Sequence, residues 1–519
     1  MRTRLLALGG VLFVLIGGLV LRQPEVESSS GAPNVLFVVL DTTRADRMSV
    51  HGYERPTTPF LEELAETSVV FEQARSPGIW TLPAHASMFT GLPASSTGAD
   101  ERWLWLDSYH LTLAEHLKSG GYDTVAVAAN ALLSKDTNLL QGFDAIVNPW
   151  HPKLKTMAAK RTADKLLPDD RSNELSPHYA PPEHGARNAE WARAAYKESG
   201  PLLVNALLRW VDRRPDERPW FAFVNIMEAH TPRVPSLESR KAVMDDATIA
   251  LGLQTDQSHI AFHFYNFGKQ DYTDEELRAI GGVYDASLRD LDGVMRTLVE
   301  GLSARGVLDD TVLVITSDHG ENLGDHHLFN HRFALWDSLL HVPLMVRYPS
   351  RLAPDRVARP VSTGDLFGTI ASLTGTPLPL GHTYGDLFAA EPVPVVSEMA
   401  LPLEREVRTV MEVHPDVELA PWMRSGRSLV RGSDKWIMWD QGVLERYQLA
   451  EDPGELHDVV GDDATQDAAS VAWLEGWQQR APEYDTSRRG PGDQPKHVRA
   501  SQEELRRQLE ALGYIQDGQ

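Results

Sequence analysis

Val35-Leu36-Phe37-Val38-Val39-Leu40-Asp41 is six apolar residues closed by a carboxylate. Three further runs are built alike. Thr124-Val125-Ala126-Val127-Ala128 runs on to Asn130, and Trp220-Phe221-Ala222-Phe223-Val224-Asn225-Ile226 leads to Glu228 and His230. Thr311-Val312-Leu313-Val314-Ile315-Thr316 leads to Asp318 and His319. Short continuous apolar runs rich in Val and Ile suit strands of a parallel sheet covered on both faces. Helical patterns lie between them, over 59–68, 111–120, 202–213 and 274–303. This alternation predicts an α/β protein with a doubly wound sheet. Ligands of such sheets bind beyond the carboxyl ends of the strands. The polar residues closing the four runs are therefore expected to gather at one edge.

The chain has 519 residues, enough for a large core in one or two domains. Its formal charge of −23 (50 basic, 73 acidic residues) argues against nucleic acid as a partner. It leaves room for an anionic group in a locally positive pocket. There is no Cys, which excludes disulfides, thiolate metal sites and a Cys nucleophile. Arg2 and Arg4 precede an apolar stretch from Leu5 to Leu21, followed by small and polar residues. Residues 1–30 thus read as a signal peptide or an N-terminal membrane anchor. Either reading exports the body, to a periplasmic or extracellular location, with residues 5–21 as the membrane contact if they are retained. Residues 151–200 and 233–273 have weak periodicity and read as long insertions over the sheet edge. From about residue 395 the pattern changes. Arg427–Arg431 and Lys435–Trp439 look like antiparallel strands, and Ser501-Gln502-Glu503-Glu504 offers a capping box for a last helix. The expected division is a main domain over 33–395 and a small α+β subdomain over 396–519.

The chemistry concentrates at the strand ends. Asp318-His319-Gly320-Glu321 follows a buried strand directly, and Asp41 ends another. Two carboxylates, one imidazole and no thiolate favour one divalent cation, Ca, Mg or Mn first and Zn also open to the set. The plainer reading is a helix-capping Asp beside a surface His. Thr81 precedes Pro83 and a helix-like run from Ala84 to Thr90, so its hydroxyl is expected at a helix N-terminus. Backbone N–H groups and the helix dipole attract an oxyanion there. A cation held by Asp41, Asp318 and His319 would lower the hydroxyl's pKa. The plainer reading of Thr81 is an N-cap. His85, one turn beyond Thr81, is close enough to touch it. His230 and His331 are candidates to protonate a leaving oxygen or to bind substrate. Asn130 joins the candidates for substrate binding.

These stretches together resemble the sulfatases of the alkaline-phosphatase superfamily. The resemblance begins at NVLFVVLDTTRADR (residues 34–47), continues through GIWTLPAHASMFTG (78–91), MEAHTPRVP (227–235), Tyr284-Asp285 and Asp292, and takes in TSDHGENLGDHHLFNH (316–331) and HVPLMVRYPSRL (341–352). It covers nearly all of residues 33–519. It implies a large mixed, mostly parallel sheet sandwiched by helices, with a small C-terminal α+β subdomain. It also implies Asp41, Asp318 and His319 as metal ligands with Thr81 completing the shell, His230 as a substrate or leaving-group residue, and an anionic ester as substrate.

The chain departs from the family pattern at five places. The family's second Asp beside the first is Thr42 here, and the Arg four residues after the nucleophile is His85. The family's Gly-Lys-Trp-His motif is Ala128-Ala129-Asn130-Ala131, and its Lys near the end of the metal loop is His331. Above all, the family's Cys or Ser, oxidised to formylglycine, is Thr81. Hydrated formylglycine attacks with one hydroxyl and uses the other to expel sulfate. Threonine has one hydroxyl, so release would require water to attack the ester itself. That is unfavourable at sulfate and accessible at phosphorus. The resulting expectation is a metal-dependent hydrolase of sulfate, phosphate or phosphonate esters. The alternatives are an envelope phosphoryl or head-group transferase and a non-catalytic metal-binding protein.

Overall fold

The computed structural model describes residues 31–166, 197–215, 218–378, 385–391, 393–403, 405–481 and 484. The N-terminal apolar segment, the predicted last helix and much of the 151–200 insertion lie outside the described residues. Among the described residues no helix is long and apolar enough to cross a membrane.

All four apolar runs are strands: β1 (Asn34–Leu40), β3 (Asp123–Ala128), β5 (Trp220–Ile226) and β6 (Thr311–Thr316). They join β2 (Val69–Arg75), β4 (Ala145–Val147), β9 (Leu344–Arg347) and β10 (Asp355–Ser362) in one sheet. The strand order is β10-β2-β9-β6-β1-β5-β3-β4. Strand β1 sits at the centre and pairs in parallel with both β5 and β6. Only β9 runs against its neighbours β2 and β6, which makes the sheet mixed. A two-stranded hairpin of β7 (Asn322–Leu323) and β8 (Phe329–Asn330) follows β6.

Residues of β1 alternate between two cores, as a strand's geometry requires. Val35, Phe37 and Val39 belong to the cluster that includes residues of α2 (Thr81–Thr90), α3 (Leu113–Ser119) and α6 (Leu366–Thr374). Leu36, Val38 and Leu40 belong to the opposite cluster, with α1 (Pro59–Ala65), α4 (Gly200–Asp212) and α5 (Asp274–Ser303). Every side chain from Val35 to Leu40 is fully buried. Each such burial is worth about 1.5–3 kcal/mol, so the strand that carries Asp41 is firmly held. The strand–helix alternation has produced the layered α/β sandwich expected of it.

A separate four-stranded antiparallel sheet, β11 (Val395–Met399), β12 (Gly426–Arg431), β13 (Asp434–Trp439) and β14 (Leu444–Gln448), packs with α7 (Ala464–Arg480). It docks through buried charge. Lys435 on β13 pairs with Asp337 at 2.8 Å and Glu455 at 2.6 Å, and Arg75 on β2 pairs with the same Asp337 at 2.6 Å. The 233–273 stretch, read as an insertion, is built of three short helices, Leu237–Val243, Asp246–Gln254 and His259–Asn266.

Candidate active site

The parallel registers align the carboxyl ends of the central strands. Val39 of β1 lies level with Asn225 of β5 and Thr316 of β6, and Asn225 lies level with Ala128 of β3. Asp41, Asn130 and Asp318 therefore emerge at one edge. Asp41, Asp318 and His319 are fully buried, and one ligand atom from each lies within 4.8 Å of the others.

Neighbouring groups fix how each of the three is presented. Asp41 Oδ2 accepts from the amides of Asn130 (2.9 Å) and Asn225 (3.0 Å), while Oδ1 has no hydrogen-bond partner among the described residues. Asp318 Oδ1 accepts from the backbone N–H groups of Thr42 (3.3 Å) and His319 (3.0 Å), while Oδ2 has none. His319 Nδ1 lies 2.8 Å from the Gly320 carbonyl and donates to it, which leaves the Nε2 lone pair free to bind a cation. Gly320 is required for this turn: a Cβ there would meet the Ser338 carbonyl oxygen at 2.1 Å. Burial, then the charge of Asp318, pushes Asp41 up to about 7. Burial also pushes Asp318 up to about 7 and holds His319 down to about 3. Two orphaned buried carboxylate oxygens beside an unprotonated imidazole nitrogen fit a divalent cation.

Thr81 is fully buried and is the first residue of α2. The N-cap is Trp80, and no side chain caps the helix. The Thr81 hydroxyl is thus not spent on capping. Its Oγ1 accepts from Asn130 Nδ2 at 3.3 Å and stands 3.4 Å from His319 Nε2. One amide, that of Asn130, therefore grips both Asp41 and Thr81. His85 lies beneath the hydroxyl, its Nδ1 donating to the Thr81 carbonyl at 2.8 Å and lying 3.5 Å from Asp318 Oδ2. Burial holds His85 down to about 3, so it is a neutral ring packed edge-on against Phe89 and Phe223. It stands where the family pattern has a cation and supplies no charge.

His331 stacks over His319 with ring centroids 4.4 Å apart, and His230 lies 5.2 Å from His331. Both are largely buried. The fold therefore brings together Asp41, Thr81, His85, Asn130, His230, Asp318, His319 and His331, while Glu228, which also closes an apolar run, accepts from the Gly200 N–H at 2.8 Å. His326 and His327 stack instead on Trp336 and Tyr265.

The roles of several residues of the site escape a reading of the sequence. Asn225 is hidden inside an apolar run. Glu321 accepts from His331 Nδ1 at 2.9 Å and pairs with Arg233 at 2.7 Å, both partners buried. Tyr284 donates to the Thr42 carbonyl at 2.8 Å and accepts from the Arg44 N–H at 2.9 Å, pinning the loop after β1. In that loop Thr42 adopts φ +58°, a strained conformation for a β-branched residue.

A mostly parallel sheet with helices on both faces, a carboxylate–imidazole centre at its carboxyl edge and a helix N-terminus facing that centre define an alkaline-phosphatase-like α/β protein. Within that class, the sulfatase family model matches residues 33–376, and the chain belongs to the sulfatase family. It is 25% identical over 444 residues to the choline-sulfatase of Rhizobium meliloti, covering 83% of each chain. It is 22% identical over 463 residues to arylsulfatase K of Bos taurus, covering 85% of this chain and 80% of the other. Among solved structures, the phosphonate monoester hydrolase of Agrobacterium radiobacter aligns with a TM-score of 0.66 and 21% identity, over 87% of this chain and 96% of that one.

Proposed function

We propose that the protein hydrolyses anionic esters with Thr81 as the nucleophile, and that phosphorus esters, monoester, diester or phosphonate, are its substrates in preference to sulfate esters. The observation that carries this reading is the Thr81 hydroxyl, free of any capping duty, held by Asn130 at 3.3 Å beside His319, with Asp41 and Asp318 close by. Asp41 Oδ1, Asp318 Oδ2, His319 Nε2 and Thr81 Oγ1 would hold one divalent cation. Such an ion lowers the pKa of a bound hydroxyl and neutralises charge on the ester.

The remaining steps fall to the chain's own groups. The α2 N-terminus directs backbone N–H groups at the ester's oxygens. Thr81 would react as the alkoxide, its proton given up to solvent when the cation binds; Asn130 orients Oγ1, and the bond from Oγ1 to phosphorus forms as the bond to the leaving oxygen breaks. His230 and His331 border the centre and supply a proton to the departing oxygen. Water then attacks phosphorus, giving a proton back to the histidine that protonated the leaving oxygen, and the bond to Oγ1 breaks, restoring the threonine alkoxide. With a single hydroxyl, Thr81 has no intramolecular way to expel sulfate, which is why sulfate esters rank second. The sulfatase and phosphonate hydrolase activities named for the relatives span both substrate classes.

The experiment is a panel of p-nitrophenyl sulfate, phosphate monoester, phosphodiester and phosphonate, run with the wild type and Thr81→Ala. Turnover of a phosphorus ester lost in the variant supports the proposal. Turnover of sulfate alone overturns the substrate ranking. Full activity in Thr81→Ala removes the nucleophile. Cation binding without turnover of any ester supports a binding protein instead.

A further inference from the structure

The hydrogen bonds around Asp41 and Asp318 do more than mark a metal site: they set how many donors it has. Each carboxylate has one oxygen held by N–H groups and one without a partner, so each offers a cation a single oxygen. His319 adds one nitrogen, since its other ring nitrogen donates to the Gly320 carbonyl. Thr81 adds its hydroxyl, 3.4 Å from that nitrogen.

Several polar side chains nearby are turned to other work. The Thr42 hydroxyl, at the position beside Asp41, donates to the Asp41 carbonyl at 2.7 Å. The Ser317 hydroxyl donates to the His319 carbonyl at 2.8 Å. Asn225 Oδ1 accepts from the Asn130 N–H, and Asn130 Oδ1 from the Leu132 N–H, both at 3.0 Å. His85 lies outside the group of ligand atoms that converge. Among the described residues, the donors that converge are two single carboxylate oxygens, one imidazole nitrogen and one hydroxyl.

Ca²⁺ takes six to eight oxygens and commonly uses a carboxylate through both of its oxygens. Zn²⁺ is satisfied by four donors and accepts imidazole and carboxylate together. We infer that the centre selects Zn²⁺ over Ca²⁺, and that the selection is set by the donor count, with Thr42 withholding a donor where a carboxylate would supply one. This rests on the reading of Asp41, Asp318 and His319 as metal ligands.

The test is made on the full chain stripped of metal with a chelator. Titration calorimetry and elemental analysis follow binding of Zn²⁺, Mn²⁺, Ca²⁺ and Mg²⁺, with no substrate present. The expected result is one Zn²⁺ per chain, lost in His319→Ala, bound at least about 100-fold more tightly than Ca²⁺. Ca²⁺ binding as tightly as Zn²⁺ overturns the inference while leaving the metal site standing. Failure of every ion to bind, or Zn²⁺ retained in His319→Ala, defeats the metal site itself.

Zn²⁺ outranks Ca²⁺ at many nitrogen-containing sites, so a second variant tests the cause. Thr42 sits at φ +58°, a conformation that Asp tolerates better than Thr. Thr42→Asp therefore adds a carboxylate without added strain. It is expected to narrow the Zn²⁺-to-Ca²⁺ affinity ratio at least about tenfold, since Ca²⁺ sites are tuned by ligand charge. An unchanged ratio overturns the donor-count explanation.

Discussion

Asn225 is the residue whose replacement separates holding a ligand from being one. Its side-chain amide donates to Asp41 Oδ2 at 3.0 Å, and its carbonyl accepts the Asn130 N–H at 3.0 Å. Asn225→Leu keeps the shape of the strand and removes both. A hydrogen bond to a charged acceptor is worth about 1.5–3 kcal/mol. At about 1.4 kcal/mol per factor of ten, its loss should lower cation affinity roughly 10–100-fold, the range expected when the partner of a metal ligand is removed. The Asn130 N–H, left buried without its acceptor, adds a stability cost of about 1–3 kcal/mol. Asn148→Ala is the control. Its amide donates to the Ala128 carbonyl at 2.8 Å, on the same edge of the sheet, without touching Asp41. Calorimetric titration measures affinity, and urea unfolding measures stability. The account expects both to fall in Asn225→Leu and only stability to fall in Asn148→Ala. Unchanged affinity in Asn225→Leu would refute the idea that the amides aim Asp41 Oδ1 at the cation.

Two further predictions concern charge. Asp41 and Asp318 are raised from 3.8 to about 7 in the cation-free protein. Between about pH 4 and 7 the folded state holds protons that the unfolded state has lost, so these groups make the cation-free protein less stable as pH rises. A bound cation displaces those protons, so the rise in Tm on adding metal should grow from pH 5 to 7 and level off above; a shift independent of pH would contradict this. Separately, Lys435→Met leaves the buried Glu455 and the partly buried Asp337 with one cation fewer between them. Removing one partner of such a network costs about 3–5 kcal/mol, read as a fall in the urea midpoint of unfolding.

What the sequence revealed follows from where its information is local. The runs that became β1, β3, β5 and β6 are buried on both faces and so are continuously apolar. Strand β10, whose first residues Asp355 and Arg356 are exposed, carries no such run, and β9 has only four residues. Asp318 and His319 are adjacent at a strand end, and that pattern is legible without the fold. Asn225 is not, because a polar residue inside an apolar strand looks like noise until the parallel register sets it beside Asp41. The Arg233–Glu321 pair that steadies His331 spans 88 residues, and no local pattern announces it. The same holds for Thr81: its place on α2 was readable, but that Trp80 takes the N-cap position and leaves the hydroxyl free is a property of the folded helix.

The central claim is that Thr81 forms the bond to phosphorus, and it is tested most directly by trapping. The protein is mixed with a phosphonate or phosphate ester, quenched in acid within the first turnovers, and digested for mass spectrometry. The account predicts a phosphoryl or phosphonyl adduct on Thr81, absent from Thr81→Ala and absent without substrate. Steady turnover with no adduct on Thr81, together with activity retained in Thr81→Ala, would contradict it.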